Sequence, residues 1–391
     1  MNPRFPSSQA GLSLIELMVA MTIGLLIFAG LATLFSNASS SQHELRRTSQ
    51  QIENGRYAMD VLIQDLQLAG YFGEFRAVGT PTATNPCSTS DAELGNGITL
   101  PLQGYHAASL TDVPVPNSSC DTWLDDNLKA GSDILIVRRA ETTIVPIGAT
   151  TSANSRYIQS GPTGFELQAG GGTTTCTSKA AGTTATVTRR CQYPTSIDIC
   201  GGGGLPCATG GTPAAYIRKL RAHIYYVSPC NVPSSGTTCD SAADGGRPVP
   251  TLKRLELVEV SGTLTFQVIA LAEGVEFMKI AYGIDDTPNV VNAETGRIGD
   301  GVPDRYVLDP SLAEYSNAVT VRLDLLVRNP EPSPGFTEVK TYKLSVDPAA
   351  PASPGVTITP ADLGAPATNY RRHAYTAEVR LVNMSGRKEI P

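Results

Sequence analysis

The most strongly apolar part of the chain lies near its start, from Leu12 to Phe35. The residues of this run are apolar or glycine, with four exceptions: Ser13, Glu16, Thr22 and Thr33. A helix rises about 1.5 Å per residue, so the run is long enough to cross the hydrocarbon core of a membrane. A secretory signal peptide, the alternative, has a shorter apolar core and then a small-residue cleavage site. We therefore predict a membrane-spanning helix over residues 12–35, whose orientation the flanking basic residues do not fix.

After residue 35 the chain becomes polar but keeps a helical period. Four apolar residues recur at every seventh position: Leu45, Ile52, Met59 and Leu66. No proline interrupts the region, and Gly70 is a suitable C-terminal stop. We predict one helix over residues 14–69, roughly 84 Å long, with an amphipathic second half at 36–70. Gly55 marks a kink or a close contact, or has no particular role. A dimeric coiled coil is the alternative, although the heptad run is short for one.

From residue 71 to residue 391 the pattern predicts a globular head built from short strands and turns. Five segments have the apolar or alternating character of strands: 133–139, 222–228, 275–282, 319–328 and 375–382. In the clearest of them, one face carries Val319, Val321, Leu323, Leu325 and Val327. The predicted fold class is α+β, with an antiparallel sheet packed on the second half of the long helix. Residues 141–215 have no apolar period and predict a loop-rich insertion, either a partner-binding surface or a variable loop.

Composition restricts the class of partner. Lys and Arg number 30 against 36 Asp and Glu, which gives a formal net charge of −6. Nucleic-acid binding needs clustered cations, so this balance argues against nucleic acid as a direct partner. Gly and Pro number 37 and 28, which agrees with many turns.

The chain has eight cysteines, all in its middle part: Cys87, Cys120, Cys176, Cys191, Cys200, Cys207, Cys230 and Cys239. An even number in a region rich in Gly, Pro and Thr predicts disulfides formed in an oxidising compartment. A zinc site is the alternative, but the short Cys–Cys knuckle typical of zinc is absent. Eight cysteines allow roughly one hundred pairings, so connectivity stays open. Short loop closure suggests Cys230–Cys239 and Cys176–Cys191.

Glu16 is the unusual residue of the apolar run, because a carboxylate inside such a segment costs a few kcal/mol and is therefore a candidate functional residue. The alternative is that Glu16 lies at the level of the lipid headgroups, near the start of the span. The segment Gly11-Leu12-Ser13-Leu14-Ile15-Glu16-Leu17 resembles the type IV prepilin signature. The resemblance implies cleavage of the leader 1–11 after Gly11 by a prepilin peptidase, and N-methylation of the new terminus at Leu12. It places Glu16 fifth in the mature chain, the position of the family's glutamate. Leu12 departs from the phenylalanine that is most frequent at the first mature position.

Other segments resemble PilW-type minor pilins. They are NGRYAMDVLIQDLQLAGYFG at 54–73, GVEFMKIAYGID at 274–285, VRLDLLVRN at 321–329 and RRHAYTAEVRLVN at 371–383. The resemblance implies a pilin-like fold and a role in priming type IV pilus assembly, with motility, adhesion and DNA uptake as indirect consequences. It also implies major and minor pilins, the prepilin peptidase and methyltransferase, and the assembly machinery as partners.

The implied location is the bacterial inner membrane, with a periplasmic head, and then the pilus on the cell surface. A large pseudopilin of a type II secretion system is one alternative. A membrane-anchored periplasmic enzyme or binding protein is another.

The loop from Tyr282 to Tyr306 is hydrophilic and contains four aspartates: Asp285, Asp286, Asp300 and Asp304. Together they are candidate ligands for calcium, which takes six to eight oxygens. The spacing does not match an EF-hand loop, so an acidic turn in solvent is the favoured interpretation. The sequence contains no nucleophile elbow, P-loop or paired-histidine zinc motif, and we predict no enzyme activity and no other cofactor.

Overall fold

The computed structural model describes residues 13–75, 81–114, 116–124, 127–145, 151–161, 164–171, 216–286, 301–345, 355–363 and 367–385. The chain divides into two compact units, residues 1–50 and residues 51–391. Helix α1 spans Leu14–Gln67 and contributes to both. The other helices are short: α2 (Asp91–Thr99), α3 (Asp121–Leu124), α4 (Ala243–Gly246), α5 (Leu312–Tyr315), α6 (Pro360–Leu363) and α7 (Val382–Ser385).

The strands form antiparallel sheets. They are β1 (Leu102–Tyr105), β2 (Ile134–Ala140), β3 (Arg156–Gly161), β4 (Gly164–Ala169), β5 (Ile217–Ser228), β6 (Thr251–Val260), β7 (Thr263–Glu273), β8 (Val275–Ile284), β9 (Arg305–Val307), β10 (Ala318–Arg328), β11 (Tyr342–Leu344), β12 (Val356–Ile358) and β13 (Arg372–Arg380). A seven-stranded sheet has the order β1-β2-β5-β3-β4, with β6 paired to β5 and β7 to β6. A four-stranded sheet has the order β13-β10-β8-β9, and β11 pairs with β12.

The α+β prediction is confirmed, and the five predicted strand segments overlap β2, β5, β8, β10 and β13. These five strands are divided between two sheets: β2 and β5 belong to the larger sheet and the other three to the smaller one. An alternating pattern shows which side chains face a core, but it does not show which strands are neighbours.

The ends of α1 follow local chemistry. The carbonyl of Ser13 accepts hydrogen bonds from the backbone N–H groups of Glu16 and Leu17, at 3.0 and 3.1 Å. At the other end Gly70 has a φ of 73°, a left-handed conformation that glycine adopts without strain. Its N–H donates to the carbonyl of Arg138 at 3.0 Å. Gly70 thus ends the helical region, as predicted, and directs the chain toward β2.

The buried face of α1 differs from the predicted apolar stripe. Burial begins at residue 51, and the buried residues are Gln51, Gly55, Ala58, Met59, Leu62, Asp65 and Leu66. Leu45 and Ile52 of the predicted stripe are exposed, at 72% and 38%. The two residues were misassigned because polar and small side chains occupy several positions of the true buried face.

Two large hydrophobic clusters lie on opposite faces of the seven-stranded sheet. The first joins Leu62 and Leu66 of α1 to the inner faces of β8 and β10 and to one face of β2 and β5. The second packs Phe72, α2 and the Cys87–Cys120 region against the other face. A third, smaller cluster places Leu326 against β11 and β12. The face of β10 that is opposite Leu323 and Leu325 is therefore covered as well.

Two disulfides are present in the described part of the chain. Cys230–Cys239 joins Cα atoms 5.5 Å apart and confirms the pairing predicted from loop length. Cys87–Cys120, at 5.2 Å, was not among the suggested pairs, and it closes a longer loop of 33 residues. Cys176, Cys191, Cys200 and Cys207 lie outside the described residues.

The region predicted to be a loop-rich insertion contains regular structure in its first part. Strands β3 and β4 pair from Arg156↔Ala169 to Gly161↔Gly164, and β3 also pairs with the start of β5. The loop-rich prediction is therefore wrong for this hairpin, whose Thr- and Gly-rich surroundings concealed it. Residues 172–215 lie outside the described part of the chain.

Gly55 is a close contact rather than a kink. A Cβ atom placed on it would overlap the ring of Tyr375 on β13. We expect Gly55→Leu to lower the free energy of unfolding by about 1–3 kcal/mol, because overpacking forces neighbours from their rotamers. Urea denaturation of the full chain in detergent measures this change. Adding Tyr375→Ala removes the ring and should restore part of the loss; a double variant no more stable than Gly55→Leu would contradict the contact.

Candidate functional site

The first unit presents an apolar helical surface. Every large hydrophobic side chain from Leu14 to Phe35 is exposed, with values between 49% and 77%. Over the described residues, α1 is the one helix long and apolar enough to cross a membrane, judged by length and composition. Exposure of this much apolar surface is stable only against lipid or against other apolar helices. The N-terminal part of α1 is therefore a candidate membrane anchor and a candidate assembly surface.

Glu16 lies on this surface as an isolated carboxylate. The side chains beside it are Ser13, Ile15, Val19, Ala20 and Ile23. Thr22 and Thr33 satisfy their hydroxyls within the helix, on the carbonyls of Val19 and Gly30 at 2.9 and 2.8 Å. Among the described residues the Glu16 carboxylate has no such partner. If Glu16 were buried in an assembly, its carboxylate would therefore need a cation from outside the helix. Gly11 and Leu12, the predicted cleavage and methylation residues, lie outside the described part.

In the second unit a polar cluster fastens α1 to the seven-stranded sheet. Asp65 of α1 is buried, and its carboxylate accepts from Arg139 Nε at 2.6 Å and from the Tyr225 hydroxyl at 2.9 Å. Nδ1 of His223 lies 2.7 Å from the same carboxylate. Burial alone would raise the pKa of Asp65, but His223 and then Arg139 outweigh it and lower the pKa to about 2. The carboxylate is thus held ionised at the junction of helix and sheet.

The cluster continues across the sheet to Glu256 on β6. Nε2 of His223 lies 3.7 Å from Glu256, and Arg221 and Arg254 contact this carboxylate at 2.5 and 2.9 Å. His223 most strongly lowers the pKa of Glu256; burial opposes it, and the arginines add to it, so the pKa is about 2. Arg221 also contacts Glu141 at 2.5 Å. The network links α1 to β2, β5 and β6, so it attaches the helix to the seven-stranded sheet.

Acid should weaken this attachment. The pKa values of Asp65 and Glu256 are about 2 in the folded protein, below their ordinary 3.8 and 4.5. A lowered pKa stabilises the fold fully above the unfolded pKa, and this contribution is lost as pH falls from about 4.5 toward 2. We expect the urea midpoint to fall in that window, and Asp65→Asn to flatten the fall. A slope unchanged in Asp65→Asn would contradict the assignment.

Side-chain amides also attach the helix to the four-stranded sheet and to the end of β7. The Gln51 amide donates to the carbonyls of Val327 and Arg371, at 2.7 and 3.0 Å. Asn54 donates to the carbonyl of Glu273 at 3.0 Å. Sequence reasoning missed these residues and the Asp65 cluster, because their partners are far away in the chain. The available signal was Gln51, Gly55, Ala58, Leu62 and Asp65 recurring at intervals of three and four.

The proposed calcium ligands are engaged with the protein where they are described. Asp286 contacts Arg305 at 2.7 and 3.0 Å, and Asp304 accepts from the N–H of Asp286 at 2.8 Å. Asp285 is buried, and its N–H donates to the carbonyl of Asn317 at 3.0 Å. Within the described ranges no three His, Cys, Asp or Glu residues are grouped to hold a metal ion. Asp300 lies outside these ranges, so the calcium site stays a prediction.

Comparison with known proteins gives two family matches. Residues 234–383 match the PilW model, described as Type IV Pilus-assembly protein W. Residues 6–32 match the prokaryotic N-terminal methylation motif. The first match covers β8, β10 and β13, and the second contains Gly11, Leu12 and Glu16. No curated protein and no solved structure matches the chain significantly.

Proposed function

This chain belongs to the PilW family of type IV pilus assembly proteins, and we propose that it is a minor pilin that primes filament assembly. It is a structural pilus protein rather than an enzyme. The observation that carries the proposal is the exposed apolar part of α1, which begins within the methylation motif and bears the single carboxylate of Glu16. The globular unit that follows the anchor is large, and its size supports the proposal that this chain is a specialised subunit of the pilus.

The proposed sequence of events begins in the inner membrane, where α1 anchors the precursor and the head lies in the periplasm. A prepilin peptidase cuts between Gly11 and Leu12, which frees an α-amino group, and a methyltransferase modifies it. In the growing filament the apolar helix leaves lipid and packs among the helices of major and minor pilins. The α-amino group of one subunit then neutralises Glu16 of its neighbour, because an unpaired carboxylate is costly in an apolar setting.

The head must stay fixed to the helix during this transfer. Asp65 and Gln51 join α1 to the two large sheets through hydrogen bonds and ion pairs. The disulfides stabilise the head further in an oxidising compartment. These contacts support a role in which the head stays attached to the helix when the helix enters the filament core.

Co-purification from cells with intact disulfides tests the proposal. A tagged full chain should be recovered in the sheared filament fraction, together with pilins. Recovery with secretion-channel components instead would indicate a pseudopilin of a type II secretion system. Recovery with neither would indicate a membrane-anchored periplasmic protein, and both outcomes would contradict the priming role.

A further inference from the structure

Strand β7 forms an unusual edge of the seven-stranded sheet. In the described part of the chain β7 pairs with β6 and with no other strand. Its segment Thr263–Ala272 contains no charged residue, no proline and no glycine. The pairing with β6 runs without interruption from Thr263 to Ala270, and the one register shift falls at Leu271. The edge is therefore long, regular and uncharged.

Natural sheets normally protect such edges with charges, prolines, bulges or short strands. Strands β1, β9 and β13, which are also edge strands, follow this rule where they are described. Strands β1 and β9 are four and three residues long. Strand β13 is longer, but it carries Arg372, His373, Glu378 and Arg380. Strand β7 lacks these protective features. A partner strand that pairs with β7 would explain why its edge is unprotected.

The hairpin geometry shows which backbone groups face outward. Strands β6 and β7 are joined by Ser261 and Gly262, both with positive φ, as in a two-residue hairpin turn. Such a turn closes on a hydrogen-bonded pair, here Val260↔Thr263, and hydrogen-bonded and non-hydrogen-bonded pairs then alternate. The non-hydrogen-bonded positions of β7 are consequently Leu264, Phe266, Val268 and Ala270. Their N–H and C=O groups point to the free edge.

The side chains along this edge continue the second hydrophobic cluster. Phe266 is buried and its ring lies 5.3 Å from the ring of Trp123. Leu264 is partly buried in the same cluster. Val268, two residues further on the same face, is 38% exposed. An added strand with an apolar side chain beside Val268 would extend this cluster by one strand.

We propose that β7 is a docking edge for an extended, uncharged segment of a different subunit of the filament, which adds a strand to the seven-stranded sheet. Only an extended backbone matches donors and acceptors at alternate residues, and a charged segment would find no counter-ion along β7. Two copies of β7 paired about a two-fold axis would form a closed contact, whereas a growing filament needs heterologous contacts. The inference rests on the proposed function, since it takes its partner from the filament.

The test uses the full chain in cells that assemble pili, with the photocrosslinker p-benzoylphenylalanine placed at one position at a time. The test position replaces Gln267, which is exposed on β7. Lys343, exposed on strand β11, is the control position on a different strand. Phe28 in the apolar helix reports assembly itself. We expect a Gln267 crosslink to an uncharged strand segment of another pilus subunit, well above the Lys343 background.

Val268→Pro then tests the backbone contact, because proline removes an N–H that faces the free edge and leaves the β6–β7 ladder intact. The Gln267 crosslink should fall about fivefold, the factor for one lost hydrogen bond, with little change in melting temperature. Ile269→Pro, whose N–H faces β6, should instead destabilise the head.

The inference is overturned if Gln267 crosslinks only to a second copy of this chain or only to lipid. It is also overturned if the crosslink yield at Gln267 is no higher than the yield at Lys343. If Phe28 still crosslinks to pilins in that case, the proposed function stands. If Phe28 gives no pilin crosslink either, the proposed function fails and the inference fails with it.

Discussion

Replacing Glu16 by glutamine is expected to remove the protein from sheared filaments while leaving it in the membrane and processed at Gly11. Glutamine keeps the size of the side chain and its hydrogen-bonding groups but lacks the charge. In the assembled filament the α-amino cation of the neighbouring Leu12 would then be left without its carboxylate. Breaking one partner of a buried ion pair costs about 3–5 kcal/mol, or more than roughly a hundredfold in incorporation.

The measurement is the ratio of protein in the filament fraction to protein in the membrane fraction, by quantitative immunoblot. Thr22→Val is the matched control, because Thr22 is polar and exposed in the same segment but bonds only to its own helix, at the Val19 carbonyl. It should be incorporated like the wild type. A Glu16→Gln ratio within about twofold of the Thr22→Val ratio would show that the charge has no part in assembly.

Asp65→Ala is expected to be the most destabilising single change in the head. It leaves Arg139, His223 and Tyr225 without the carboxylate that they share at 2.6 to 2.9 Å. Removing one partner from a buried ionic network costs about 3–5 kcal/mol, because the remaining charge is uncompensated. Since Asp65 joins α1 to β2 and β5, the loss should also loosen the helix from the sheet.

Urea denaturation of the full chain in detergent, followed by near-ultraviolet circular dichroism, measures the effect. Asp60→Ala is the matched control, because Asp60 lies on the exposed face of the same helix. Surface substitutions of this kind change stability by about 0.5 kcal/mol or less. If the two variants lose similar stability, the Asp65 cluster does not hold the helix to the sheet.

Local signals in the sequence predict helix α1 and five of the strands of this fold. The predicted helix over 14–69 is observed as Leu14–Gln67, because a continuous apolar run and a glycine stop determine it. The strand at Ala318–Arg328 follows from strict alternation. Strands β6 and β7 were not predicted; in β6, Lys253 and Glu256 are buried and obscure the period. Side chains that are buried through partners distant in sequence give no local signal.

The candidate functional residues also fall into two groups, those with a local sequence signal and those whose partners are distant in the sequence. The N-terminal motif is a local feature, so its resemblance to the prepilin signature predicts roles for Gly11, Leu12 and Glu16, and the methylation-motif match spans these three residues. The Asp65–His223 contact joins residues 158 positions apart, and only the folded structure brings them together. The pairing of Cys87 with Cys120 was hidden for the same reason, whereas Cys230 and Cys239 are close in the chain.

The central claim is that this chain is a processed pilin, and the mass of its N-terminal peptide tests it most directly. Protein extracted from membranes of cells with an active prepilin peptidase should begin at Leu12 with a methylated α-amino group. A Gly11→Ala control should remain uncleaved if the peptidase recognises this site. Wild-type protein that still begins at Met1 in those cells would contradict the account and leave a membrane-anchored domain outside the pilus.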